Sequence, residues 1–146
     1  LTVSNFKKNI SDDIYRNSKF YNLIKFPNTK FIRGGINHEN EGYIFNKSIK
    51  TIPLEIQLIN KQEPIYNKEI SDPLEFKFLK NTLQKGSISM VKISKTKSSS
   101  TEFFISTHKS AVLEGRYSVF GRVINGFEIL ENIDNKDYLL QIVLNN

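Results

Sequence analysis

The chain has 146 residues, 38% of them hydrophobic, with 11 Phe and 6 Tyr, enough for one domain with one core. With no Cys it can form no disulfide, catalytic thiol or thiolate metal site, and no apolar run approaches the roughly 20 residues of a membrane-crossing helix. The 21 Lys and Arg exceed the 15 Asp and Glu by a net charge of +6, which favours acidic partners.

In chain order, Thr2–Ile10 carries Val3, Phe6 and Ile10 at spacings of three and four, predicting a short helix. Phe20–Ile24 and Thr29–Arg33 read as short strands separated by the turn signal Phe26-Pro27-Asn28. Gly34-Gly35 marks a place where the backbone turns sharply or comes close to something. Asn37–Ser48 is polar and without period, a loop. Thr51–Ile59 alternates Ile52, Leu54, Ile56 and Leu58, predicting a half-buried strand with Pro53 at an edge or entry position. Asn60–Pro73 reads as a second long loop, and Leu74–Leu79 as another alternating strand.

Three apolar runs follow, Ser87–Val91, Phe103–Thr107 and Ser118–Val123, with a Ser-rich loop at Lys95–Ser100 and a Gly-containing turn between them. They predict strands whose phase lets Ile88, Met90, Phe104, Leu113 and Phe120 gather on one side of a sheet. Gly126 opens a helix through Phe127, Ile129, Leu130 and Ile133, and Tyr138–Leu144 closes the chain as a strand. No repeat or linker is visible, so residues 1–146 read as one domain.

Ordinary catalytic clusters are missing from this pattern. His38 and His108 lie in loop contexts without metal-ligand spacing. Ser98, Ser99 and Ser100 are not in a G-x-S-x-G elbow, and no Lys-Ser/Thr follows Gly34-Gly35 as in a phosphate loop. Asn46-Lys47-Ser48 matches the glycosylation sequon, a weak signal. No metal or cofactor is expected. Net charge is the sole support for nucleic-acid binding, since no aromatic-interleaved basic motif occurs.

GSISM (Gly86–Met90), EFFIST (Glu102–Thr107) and LEGRYSVFGRVINGFEILENID (Leu113–Asp134) are similar to the second half of a cyclophilin, the fold of one class of peptidyl-prolyl isomerases. The resemblance implies a mainly β, antiparallel β-barrel with two capping helices and an apolar proline pocket beside a catalytic arginine. Its chemistry is understandable. Rotation about an X-Pro bond passes through a twisted amide without resonance, and an apolar socket can hold the ring while a guanidinium stabilises the twisted state.

Carried onto this chain, the resemblance assigns the pocket to Phe31, Met90, Phe104, Val112, Leu113 and Tyr117, with Val112 at the rim Trp position and Tyr117 at the rim His position. The polar machinery departs from the family pattern. Asn22 stands at the catalytic arginine position, Lys30 at a floor Phe, Arg33 at a Gln, and Glu102 at another Gln. Thr51–Tyr66 (TIPLEIQLINKQEPIY) more narrowly resembles the large thylakoid-lumen cyclophilins of chloroplasts and cyanobacteria. That subfamily implies a lumenal protein with a degenerate active site and a link to photosystem II assembly and maintenance.

The expected function is therefore a catalytically weak or inactive binding, structural or assembly subunit of a photosynthetic membrane complex, docking on its proteins. The alternative is an active isomerase that acts on prolines of lumenal proteins, with Arg33 partly replacing the missing arginine. A complete cyclophilin has two strands before the first helix. The start at Leu1 therefore reads as N-terminally incomplete, and Tyr138–Leu144 is expected to need a covering segment.

Overall fold

Helix α1 (Thr2–Ser11) turns one face inward: Ile10 is buried and Phe6 packs beside it, while Val3 is 46% exposed. The Phe6 ring meets Tyr15, Phe103 and Phe120 at centroid distances of 5.1, 5.6 and 4.8 Å. The side-chain amides of Asn5 and Asn9 donate to the Ser100 carbonyl at 2.7 and 2.6 Å, which fixes the helix across the sheet. The structure is a computed structural model describing residues 1–26, 29–36 and 50–145, with the side chains of residues 22–26 and 29 outside that description.

Among the described residues, ten strands and two α-helices follow one another, with two 3-10 turns between them. The strands are β1 (Ser18–Lys19), β2 (Tyr21–Phe26), β3 (Thr29–Gly34), β4 (Thr51–Pro53), β5 (Glu55–Ile56), β6 (Ile65–Tyr66), β7 (Ser87–Lys92), β8 (Lys97–Ser106), β9 (Val119–Arg122) and β10 (Tyr138–Leu139). Helix α2 (Phe127–Asn132) lies between β9 and β10, and the 3-10 turns are Pro73–Phe78 and Ala111–Leu113. The main sheet runs β2-β3-β8-β7-β9, and β4 pairs with the start of β8. Separate ladders join β1 to β10 and β5 to β6, and every pairing is antiparallel.

Alternation along β8 sorts the interior into two faces. Phe103 and Ile105 enter the main core with Ile10, Tyr15, Ile32 and Met90, whereas Phe104 joins Phe31, Leu83 and Val91 on the other face. A further cluster gathers Leu54, Ile56, Leu58, Ile70 and Leu79. The paired glycines at the end of β3 lie where the backbone is crowded. A Cβ on Gly34 would stand 2.9 Å from Phe103 Cζ, and Gly35, at φ +94°, would drive one into the Thr101 carbonyl oxygen.

Several expectations change. Thr51–Ile59 keeps its predicted phase, with Leu54, Ile56 and Leu58 buried, but is broken into β4, β5 and an isolated bridge from Leu58 to Leu79. Leu74–Leu79 is no strand: Asp72 accepts from the Leu74 amide and Pro73 occupies the first turn, which winds Pro73–Phe78 into 3-10 helix. Much of the Ser-rich loop is strand, since Lys97–Ser100 opens β8 with Ser98, Ser99 and Ser100 buried. The loop expected at Asn60–Pro73 contains β6, and the last strand is confined to Tyr138–Leu139, paired with Ser18–Lys19. The five residues expected on one side divide: Ile88, Met90 and Phe120 pack with the main core, Phe104 and Leu113 with the opposite cluster. The loop Asn37–Ser48, with His38 and the sequon, falls outside the described residues, as do Pro27 and Asn28.

Candidate functional site

Strand β3 sends Phe31 and Arg33, two residues apart, to the same face of the sheet. Across the β3–β8 ladder Arg33 stands opposite Phe104. Phe104 meets Phe31 edge-on at 5.4 Å and Tyr117 edge-on at 5.1 Å, so three rings make an aromatic corner. Leu113, at the end of its 3-10 turn, and Val91 of β7 complete an apolar wall. These side chains, with Arg33 and Lys92, line a cavity of about 280 Å³.

The polar side of this cavity is built from paired charges. Glu102 is buried and accepts from the Tyr21 hydroxyl at 2.5 Å, and its Oε1 lies 3.6 Å from Arg33 Nη2. The Arg33 guanidinium also sits 5.7 Å from the Tyr21 ring centre. On the other flank, Lys92 Nζ donates to Glu69 Oε1 at 2.5 Å and lies 5.4 Å from the Tyr117 ring centre. Below Leu113, Glu114 accepts from the Leu83 amide at 3.1 Å and holds the two segments together. Burial raises its carboxyl above the usual range, opposed by that amide and by the charge of Lys109.

Of the residues assigned from sequence, Phe31, Arg33, Phe104, Leu113 and Tyr117 meet at this cavity. Met90 does not, because its side chain leaves β7 on the opposite face and is fully buried in the main core. Val112 does not either: it is 78% exposed in the 3-10 turn. Lys30 is turned away and donates to the carbonyls of Leu130, Glu131 and Ile133 at 3.5, 3.0 and 2.7 Å, capping the end of α2. Asn22 lies in β2 where the register with β3 shifts between Tyr21 and Ile24, and its side chain is outside the description.

Val91 and Lys92 also line the cavity, and the sequence pattern does not point to them. The β7–β8 register jumps between Met90 and Lys92, and that irregularity lets two consecutive residues line one cavity. His108 is exposed, with its Nδ1 2.8 Å from Thr107 Oγ1. Among the described residues no three His, Asp or Glu are grouped to hold a metal ion, and no helix is long and apolar enough to cross a membrane.

Fold and cavity together define a mainly β protein with an aromatic socket sized for a small ring. The profile described as "Cyclophilin type peptidyl-prolyl cis-trans isomerase/CLD" matches residues 1–141, and the chain belongs to that family. Among solved structures, the chain is similar to a cyclophilin type peptidyl-prolyl cis-trans isomerase from Cryptosporidium parvum in the presence of the dipeptide Ala-Pro. The TM-score is 0.57 at 24% identity, covering 91% of this chain and 70% of that one. A cyclophilin from Hirschia baltica gives a TM-score of 0.54 at 16% identity, covering 87% of this chain and 56% of that one. At these identities the likeness concerns the fold.

Proposed function

We propose that this chain is a divergent cyclophilin that binds proline-containing segments of partner proteins and catalyses their isomerisation weakly or not at all. The observation that carries this reading is the mismatch between socket and charge. The aromatic corner of Phe31, Phe104 and Tyr117 offers apolar walls to a pyrrolidine ring, but the cavity's guanidinium is drawn toward the buried carboxylate of Glu102. A guanidinium held by an internal carboxylate offers less to a twisted amide than a free one does. Ala-Pro accompanies the Cryptosporidium parvum relative, and a ligand of that chemistry suits this socket.

The resemblance of Thr51–Tyr66 to large thylakoid-lumen cyclophilins supports placing the protein in the chloroplast thylakoid lumen. There it acts as a binding or assembly subunit on proteins of a photosynthetic membrane complex, photosystem II being favoured. The test is an isomerisation assay on an Ala-Pro tetrapeptide beside an NMR titration. The expected result is peptide-dependent shifts at Phe31, Phe104 and Leu113 with acceleration far below that of an active cyclophilin. Comparable rates would overturn the weak-catalyst reading. Affinity capture from solubilised thylakoid membranes is expected to recover photosystem II subunits, and recovery of none would remove that assignment.

A second reading has one observation behind it. Arg33 does line the cavity, and its Nε makes no hydrogen bond among the described residues. This favours residual activity with Arg33 as the charge donor, an active isomerase assisting lumenal protein folding. Activity that is abolished in Arg33→Ala would select it.

A further inference from the structure

The cavity's two cations stand on the strands either side of the one that carries Phe104: Arg33 on β3 and Lys92 on β7. Both retain unused donors. Arg33 Nη2 is 3.6 Å from Glu102 Oε1, beyond hydrogen-bond length, and Arg33 Nε is shielded from solvent without a partner among the described residues. Lys92 has three ammonium donors and gives one to Glu69. Neither Glu69 nor Glu102 lines the cavity, so positive charge faces inward and the balancing carboxylates sit behind it. The side chains of Arg33 and Lys92 are 23% and 25% exposed, which shields their fields from salt better than at an open surface.

A ring resting against Phe104 would therefore have a cation on each flank. Each of these cations already stands beside a carboxylate within the fold, Lys92 through a hydrogen bond and Arg33 through an ion pair at 3.6 Å. The net charge of +6 acts in the same direction at longer range. From this arrangement we infer that the site selects proline peptides with a carboxylate next to the proline. The carboxylate is either an Asp or Glu side chain in the flanking residue or the terminal carboxylate of a chain ending in proline. The inference rests on the proline-binding reading above and adds to it a substrate class.

The test uses the 146-residue chain and three matched pairs of peptides in calorimetric titrations. Two pairs are terminally blocked and compare Glu with Gln, once before and once after the proline. The third compares a peptide ending in proline as free acid and as amide. The anionic member of at least one pair is expected to bind about three- to tenfold more tightly, the range of one or two partly exposed ion pairs. Which pair shows the preference identifies the source of the carboxylate. The ratio should shrink as ionic strength rises, and in Lys92→Met and Arg33→Gln, where the comparison within each pair controls for altered folding. Equal affinities within all three pairs would overturn the selectivity and leave proline binding intact. No binding by any peptide would overturn both readings.

Discussion

Lys30 gives a sharp test of how this chain departs from its family. The resemblance places a pocket Phe at this position, whereas here the ammonium closes α2 through the carbonyls of Glu131 at 3.0 Å and Ile133 at 2.7 Å, with Leu130 at the 3.5 Å limit. Substituting Lys30→Met keeps the aliphatic stem and removes the charge. A hydrogen bond to a charged group contributes about 1.5–3 kcal/mol when shielded, and a cation at a helix C-terminus adds about 0.3–1 kcal/mol. One of the two good bonds here is exposed and the helix has six residues, so the lower end applies. A loss of about 2 kcal/mol is expected, corresponding to a Tm lower by roughly 4–8 °C for a chain of this length. Urea unfolding followed by circular dichroism measures it, and peptide titration should show the cavity unaffected. A stability within about 0.5 kcal/mol of the parent would refute the capping argument. So would a loss of peptide affinity at undiminished stability, because that would place Lys30 in the pocket.

Two further outcomes follow from buried geometry. Burial pushes the Tyr15 hydroxyl up to about 12, partly offset by the hydrogen bond from Asn9, while the unfolded chain ionises near 10. A raised folded-state value means stability is intact below pH 10 and falls as pH rises through 12, by roughly 2–3 kcal/mol from this group. Tyr15→Phe should therefore lose less stability than the parent across that window, and an identical loss would sink the assignment. Gly115 has φ +71°, and a Cβ there would overlap the Ile70 carbonyl oxygen. Gly115→Ala is expected to cost about 2–4 kcal/mol in urea unfolding and to weaken peptide binding, since Leu113 and Tyr117 lie on either side of it. An alanine variant as stable as the parent would show that the backbone relaxes freely there.

The sequence makes spacing legible, and spacing reports which way a side chain faces. That is why α1 and the buried phase of Leu54, Ile56 and Leu58 are readable. Spacing does not report the partner. The backbone of Thr51–Ile59 bonds to β8, then to Thr96 through Leu54, then to β6 and Phe78, so the predicted single strand breaks. Leu74–Leu79 alternates like a strand, yet Asp72-Pro73 just before it is a helix-start signal, and local capping prevails over the apolar period. At the site, Phe31, Phe104, Leu113 and Tyr117 were reachable through the family resemblance. Met90 illustrates the limit, because a period of two defines two faces without saying which one holds the cavity. Val91 and Lys92 depend on a register jump set by the neighbouring strand, and no local pattern in Ser87–Lys92 announces it.

The β1–β10 ladder bears on how the protein is made. Ser18 pairs with Leu139 and Lys19 with Tyr138, so partners about 120 residues apart must find each other. At synthesis rates of about 5–20 residues per second, β1 emerges roughly 6–24 s before the strand that completes it. During that interval the first segment has no ladder partner, and β8 and β9, against which α1 packs, emerge only late in it. The segment holding α1 and β1 is thus translated well before its partners and is among the last to be secured. A ribosome-bound intermediate stalled before Tyr138 would leave the Ser18–Lys19 edge open to chaperones or to another nascent copy.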